Sequence, residues 1–396
     1  MRFLLGVVIF VLALLISVML HEAGHFVTAK KFHMKVTQFF VGFGQTLWSR
    51  VRGETEYGIK ALPLGGFVKI TGMTALEDVD PADEPRSFRR QPGWQRVIVL
   101  AAGSFMHFVL AFVLLFGLAV GIGIQNTTTI GQVTSCVPVS LKALEHANPC
   151  TGSTTPSPAR QAGIRANDKV ISIAGTPVSS WIQLGDVIRK QPPGRSVPVV
   201  VDRDGRQLTL HVTPATVPNR HGSYLGIDDQ IFQRIGPLSA VSYAGSAFGE
   251  VLAGSGSAIA KLPSALPDLF AKDRAKTPAG NVSSVVGAAD IAGQAVEAGG
   301  GWKYTVSTLL LIIISLNIFV GAFNLLPLLP LDGGHLAIVI YERVRAWLAR
   351  LRGRPDPGLV DIQRLIPVSV GVFALLVGLG LILIAADIFN PVHLIQ

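Results

Sequence analysis

The chain has 396 residues, 49% of them apolar and only 15% charged, with a formal net charge of +9. Its mean hydropathy of +0.48 excludes a disordered chain and an ordinary soluble globule and places the protein in a membrane. The basic excess does not read as nucleic-acid binding, because many basic residues cluster in two segments flanking apolar runs, as a topology signal does. The length allows a membrane core and at least one folded soluble domain.

Residues 1–28 read as a first transmembrane helix. Phe3 to Glu22, at about 1.5 Å per residue, covers roughly 30 Å, close to the hydrocarbon thickness of a bilayer. Arg2 and the apolar run resemble the start of a secretory signal, but no small-residue cleavage site follows. Lys30, Lys31 and Lys35 lie beyond the run, so this end faces the cytosol and the amino terminus lies outside. The run ends in His21-Glu22-Ala23-Gly24-His25. Histidines four apart share a helix face, so their ring nitrogens can hold one zinc ion, with Glu22 placed to take a proton from the attacking water. The plain alternative for this short pattern is a cluster of snorkelling juxtamembrane side chains. Against it, a charged group costs about 2.5–3.5 kcal/mol at the centre of a membrane helix, which makes such residues functional by default.

Residues 29–96 read as a β-hairpin on the cytosolic side followed by a basic loop. Val36 to Val41 is β-rich, Gly42-Phe43-Gly44 breaks it, and Leu64 to Ile70 forms the returning strand around Gly65-Gly66. Paired glycines in a strand admit close approach by another backbone, so this is either a substrate-docking edge or an ordinary hairpin. Arg86, Arg89, Arg90 and Arg96 keep the loop in the cytosol. Residues 97–124 form the second span, and His107 within it reads as packing or polar glue rather than as a ligand.

Residues 126–216 look soluble and β-rich. The stretch Ala159-Arg160-Gln161-Ala162-Gly163-Ile164 to Gly175 resembles the PDZ domain, with Asn167 where glycine is usual and Ala174 where asparagine is usual. The resemblance implies an extracytosolic module receiving peptides or carboxy termini by strand addition; the alternative is a spacer. Cys136 and Cys150 sit at its edge, and a disulfide there is favoured over two free thiols, since the loop faces outward. Residues 217–303 are rich in Ala, Gly and Ser and read as short extracytosolic amphipathic helices broken at Pro263, Pro267 and Pro278, lying near the outer membrane surface or under the PDZ domain.

Residues 304–335 form the third span, ending in Asn324-Leu325-Leu326-Pro327-Leu328-Leu329-Pro330-Leu331-Asp332-Gly333-Gly334-His335. Residues 336–365 are a cytosolic basic loop, and residues 366–389 the fourth span, with Pro367 tolerated in its first turn. Four spans put both termini outside. The first and third helices then run the same way, so His21, His25 and Asp332 finish at one depth. A catalytic zinc needs three protein ligands and an open position, and these three supply them, with His335 a rival to Asp332. Glu22 is left as general base, then acid to the leaving amine.

Together, His21-Glu22-Ala23-Gly24-His25, Asn324 with Pro327, and Leu331-Asp332-Gly333 in this order resemble the site-2 protease family of intramembrane zinc metalloproteases, over nearly the whole chain. A single PDZ domain between the second and third spans is similar to the bacterial enzymes of regulated intramembrane proteolysis, particularly the actinobacterial type. The resemblance implies one zinc held by His21, His25 and Asp332, and Glu22 as catalytic acid/base. It implies a hairpin that re-enters the membrane at Gly42 to Gly44, and substrate binding by Gly65, Gly66, Phe67, Val68, Asn324 and Pro327. It further implies single-span substrates, anti-sigma factors or signal-peptide remnants, in a bacterial plasma membrane. The fold expected is thus a polytopic α-helical membrane protein with four transmembrane helices, a cytosolic-side β-hairpin and an inserted extracytosolic PDZ domain. A PDZ-bearing scaffold with a non-catalytic metal site is the alternative, disfavoured by an intact Glu22. A zinc transporter, the third reading, would spread its ligands along a path through the membrane.

Overall fold

Long apolar runs with few competing polar groups close their backbone hydrogen bonds within one helix, and four such helices dominate the computed structural model of the chain. The structure describes residues 1–73, 77–124, 128–140, 150, 155–179, 181–218, 222–229, 232, 234–271, 274, 277, 283–297 and 302–391. In chain order the elements are α1 (Arg2–Lys31), β1 (Val36–Arg52), β2 (Thr55–Ile70), α2 (Gly93–Gly117), β3 (Ile130–Val133), β4 (Lys169–Ile173), β5 (Thr176–Pro177), α3 (Trp181–Lys190) and β6 (Val197–Arg203). There follow β7 (Arg206–Val212), β8 (Ile227–Asp229), α4 (Pro237–Ala265), α5 (Val285–Glu297), α6 (Trp302–Asn324), α7 (Asp332–Leu351) and α8 (Ile366–Phe389). Among the described residues, Arg2–Lys31, Gly93–Ile122, Trp302–Asn324 and Gln363–Phe389 are long and apolar enough to cross a membrane, in agreement with the four spans expected.

The chain divides into two units, one of Met1–Phe116 with Val241–Gln396, the other of Gly117–Ala240. In the first, α1 and α2 meet at Gly24, where a Cβ would stand 2.5 Å from the Ala102 carbonyl oxygen; only glycine lets the two backbones approach this closely. The sheet is more folded than a simple hairpin. Val36 to Val41 pairs on one side with Gly66 to Ile70 and on the other with Glu56 to Ile59, while the outer half of β1 pairs with Thr55 to Lys60. Gly42 and Gly44, with φ of +86° and +85°, take the left-handed backbone that this doubling back requires. A buried core of Ala29, Met34, Val36, Ile70, Val99, Leu100 and Val339 joins the end of α1, the sheet, α2 and α7. Glu54, in the turn between β1 and β2, accepts from Lys30 at 2.6 Å and from both Arg86 Nη atoms at 2.8 Å. Arg86 and then Lys30 hold its carboxyl down at about 2, and the pairing fastens the sheet to the end of α1.

Two stretches differ from their reading in the sequence. The third span does not continue to His335: α6 ends at Asn324, and the chain turns through Leu325 to Leu331 before α7 starts at Asp332. Pro327 and Pro330 supply no amide hydrogen, so the helix stops there. Much of the supposed basic loop is α7 itself, tied to α2 by a buried Arg96–Glu342 ion pair of 2.9 Å. Of the three expected breaks, Pro263 lies inside one 29-residue helix, α4, which ends just before Pro267, and Pro278 lies outside the described residues. The small residues of α4 let it lie directly on the apolar helices: Ala244 joins Ala111, Leu115, Ile314 and Ile318 in one cluster, and Phe248 meets Phe108 edge-on at 5.5 Å.

The second unit carries a four-stranded antiparallel sheet of order β5-β4-β6-β7 and a pair β3-β8. Alternate residues Val197, Val199 and Val201 of β6 pack with Val170, Ile173 and Leu184 in its core, the period-two burial of a one-sided sheet. Asp204 and Gly205, at φ +54° and +79°, make the tight turn between β6 and β7. Buried Asp168 accepts from Arg203 Nε and Nη2 at 2.7 Å each. Burial pushes this carboxyl up, but the Arg203 guanidinium and the Arg165 amide, which donates to Oδ2 at 2.8 Å, together hold it below the ordinary aspartate range. Cys136 and Cys150 are joined in a disulfide.

Candidate metal centre

His21 and His25 lie one turn apart on α1, both buried, with their Nε2 atoms 3.1 Å apart. Asp332 is the first residue of α7, where the partial positive charge of a helix start favours a carboxylate. The two glycines after it make that start possible. A Cβ on Gly333 would lie 2.2 Å from the Leu326 carbonyl oxygen, and one on Gly334 would lie 2.6 Å from Leu328 and Leu329 backbone atoms. The Asp332 carboxylate thereby reaches α1, its Oδ2 standing 3.2 Å from His21 Nε2 and 3.3 Å from His25 Nε2.

These three atoms form a nearly equilateral triangle, and among the described residues they are a group able to hold a metal ion. A tetrahedral zinc with bonds near 2.0–2.1 Å separates its ligand atoms by about 3.3–3.4 Å, so the triangle fits zinc as it stands. The surroundings fit it too. His25 Nδ1 donates to the Val99 carbonyl at 2.7 Å, which fixes the tautomer with Nε2 free to ligate. Gly103 of α2 faces the imidazoles, and a Cβ there would come within 2.4 Å of His25 Nε2 and 2.6 Å of His21 Nε2.

Glu22 follows His21 and meets the sheet. A Cβ on Gly66 would lie 3.5 Å from Glu22 Cγ and 2.7 Å from Met19 Sδ. Gly65 has φ +144° and stands against Phe43. Phe67, on the opposite face of the strand from Gly66 and Val68, stacks on Phe40 and Phe43 with centroids 5.6 and 6.0 Å away. Asn324 is the last residue of α6 and Pro327 lies exposed on the turn toward Asp332. His335 is outside the ligand triangle; it lines a cavity with Arg96 and Glu342.

The sequence reading missed Gly103 and Val99, and it gave His107 no place near the site. His107 packs against His21 at a centroid distance of 5.0 Å. It belongs to a buried polar cluster with Ser17 and Asn317. The one available signal was spacing: Ser17 precedes His21 by one turn, and polar residues are costly in so apolar a helix.

Comparison with known proteins agrees with this geometry. Residues 9–354 match peptidase family M50. The chain is 39% identical over 424 residues to the zinc metalloprotease Rip1 of Mycobacterium tuberculosis, all of both chains being covered. It is 38% identical over 427 residues to the Rip1 of Mycolicibacterium smegmatis, again over the whole of both. The chain belongs to peptidase family M50, the site-2 protease family, and is a zinc metalloendopeptidase.

Proposed function

We propose that the protein cuts single-span membrane proteins in or near their transmembrane segment, with His21, His25 and Asp332 as zinc ligands and Glu22 as the catalytic acid/base. The observation that carries this reading is the ligand triangle with edges of 3.1, 3.2 and 3.3 Å beside Glu22. Bound zinc supplies Lewis acidity to the scissile carbonyl and the attacking water. Glu22 takes the proton from that water and returns it to the leaving amine. A transmembrane helix hides its carbonyls in its own hydrogen bonds, so the substrate must unwind locally, and its freed groups need partners in a dry place. Gly65 to Val68 offer a strand to pair with, and the lack of side chains at Gly65 and Gly66 lets a second backbone come close. Asn324 and Pro327 hold the other side of the extended substrate.

Basic residues beyond α1 and α6 support a topology with the metal centre near the cytosolic side and both termini outside, in a bacterial plasma membrane. The unit Gly117–Ala240 then lies outside, and its order of strands and helices supports a PDZ module that takes peptide ends. Anti-sigma factors and signal-peptide remnants are the substrates proposed. Co-expression of such single-span proteins with the intact chain and with Glu22→Gln tests the reading. A membrane-released fragment is expected with the first and not the second; a broad panel left uncut, even after removal of the substrates' outer domains, would overturn it.

A further inference from the structure

The two histidines of the metal triangle are held differently. His25 Nδ1 is fixed by the Val99 carbonyl, whereas His21 Nδ1 is buried with no hydrogen-bond partner among the described residues. The far nitrogen of a metal-binding imidazole is ordinarily held by a hydrogen-bond partner, whose loss costs roughly 10- to 100-fold in metal affinity or activity; His21 has a neighbouring ring in place of such a partner. The ring that packs on His21 is His107, with centroids 5.0 Å apart and planes tilted by 44°.

His107 is itself held from two other helices. The Asn317 amide nitrogen donates to the Ile313 carbonyl at 2.8 Å, which turns the amide oxygen toward α1 and α2. That oxygen accepts from the Ser17 hydroxyl and from His107 Nδ1 at 2.8 Å, and Ser17 Oγ also lies 3.1 Å from Nδ1. An amide oxygen can only accept, so Nδ1 carries the proton and Nε2 is the ring's acceptor edge. Ser17, His107 and Asn317 are 3%, 3% and 1% exposed. A cluster this dry and this fully bonded is rigid.

We propose that His107 is a positioning residue for the metal centre: anchored by Asn317 and Ser17, it confines the His21 imidazole to the orientation that aims Nε2 at His25 and Asp332. Asn317 on α6 and Ser17 on α1 thereby link the helix that leads to Asp332 with the helix that carries both histidines. The inference rests on the zinc reading of the site. A purely structural role, in which the cluster only binds three helices together, makes a different prediction for His107→Asn. That variant keeps a hydrogen-bonding group for Asn317 and Ser17 but withdraws the ring from His21.

The test uses the full-length protein in detergent, loaded with zinc or with cobalt(II). His107→Asn is expected to lose zinc to a chelator at least about tenfold faster than the parent, and to shift the visible absorption of the cobalt form, with its thermal midpoint nearly unchanged. Should His107→Asn not fold, His107→Phe, which keeps a ring but loses its anchors, is expected to shift the cobalt spectrum in the same way. Parent-like zinc release together with a parent-like spectrum, in whichever of the two variants folds, overturns the proposal. A parent protein that holds no zinc overturns the underlying reading instead, and the two failures are told apart by the parent measurement alone.

Discussion

Gly103 of α2 stands directly against His25 of α1, so close that a Cβ on it would lie 2.4 Å from Nε2. The space a metal needs is therefore kept open by the absence of one methyl group. Gly103→Ala is expected to leave the helices folded and to weaken zinc binding by about 100-fold or more, at the upper end of what losing a supporting contact costs. Zinc content after dialysis, read beside circular dichroism, checks this; full zinc occupancy in the alanine variant would contradict it.

His335 follows Asp332 by less than one helical turn, yet it lines a separate cavity. His335→Ala is accordingly expected to retain zinc, while Asp332→Ala loses it. Metal analysis of the two variants side by side decides between the rival third ligands raised by the sequence.

Glu54 gives the sheet's attachment to α1 a pH dependence. Its carboxyl is lowered from 4.5 to about 2 by Arg86 and Lys30. The folded value lies below the unfolded one, so the stabilisation is complete above pH 4.5 and is lost as pH falls from there toward 2. Both partners reach solvent, so its size is about 1 kcal/mol or less. Glu54→Gln should unfold at a slightly lower temperature than the parent at pH 7, with the gap closing toward pH 3; a gap that widens in acid would be inconsistent with this pairing.

In the second unit, Arg203 supplies two hydrogen bonds to the buried Asp168 carboxylate, which also accepts from the Arg165 amide at 2.8 Å. Arg203→Ala leaves that charge with less compensation and is expected to cost about 3 kcal/mol, with Arg203→Lys recovering only part because an ammonium lacks the planar fork that meets both carboxylate oxygens in parallel. Ala174 is the converse case. It sits at φ +49°, a left-handed conformation costing an alanine about 1–2 kcal/mol, so Ala174→Asn should raise stability by about 1 kcal/mol. Thermal unfolding measures both; an unchanged midpoint for Arg203→Ala would remove the energetic role assigned to the pair.

The residues of the metal triangle were legible in the sequence because their placement follows from short-range rules. Spacing puts His21 and His25 on one helix face, and parallel spans bring Asp332 to their depth. Asn167 and Ala174 stood out as departures from the PDZ pattern, and both adopt positive φ, the conformation that glycine or asparagine at those places would serve. Other contacts between distant helices were not legible. Ser17 and Asn317 are 300 residues apart in the chain, and nothing in either neighbourhood announces the other. Gly103 was hidden for a related reason: a glycine in an apolar helix carries no pattern, and its meaning lies in the imidazoles facing it. The length of α4 escaped notice because its Gly and Ser residues and Pro263 weaken an isolated helix, while packing on α2 and α6 sustains it.

The most direct measurement is zinc content and substrate cleavage in one set of purified full-length proteins: the parent, Glu22→Gln and Asp332→Ala. One zinc per chain is expected in the parent and in Glu22→Gln, with cleavage in the parent alone, and neither zinc nor cleavage in Asp332→Ala. Full zinc retention without the Asp332 carboxylate, or undiminished cleavage without the Glu22 carboxylate, would contradict the assignment of the site.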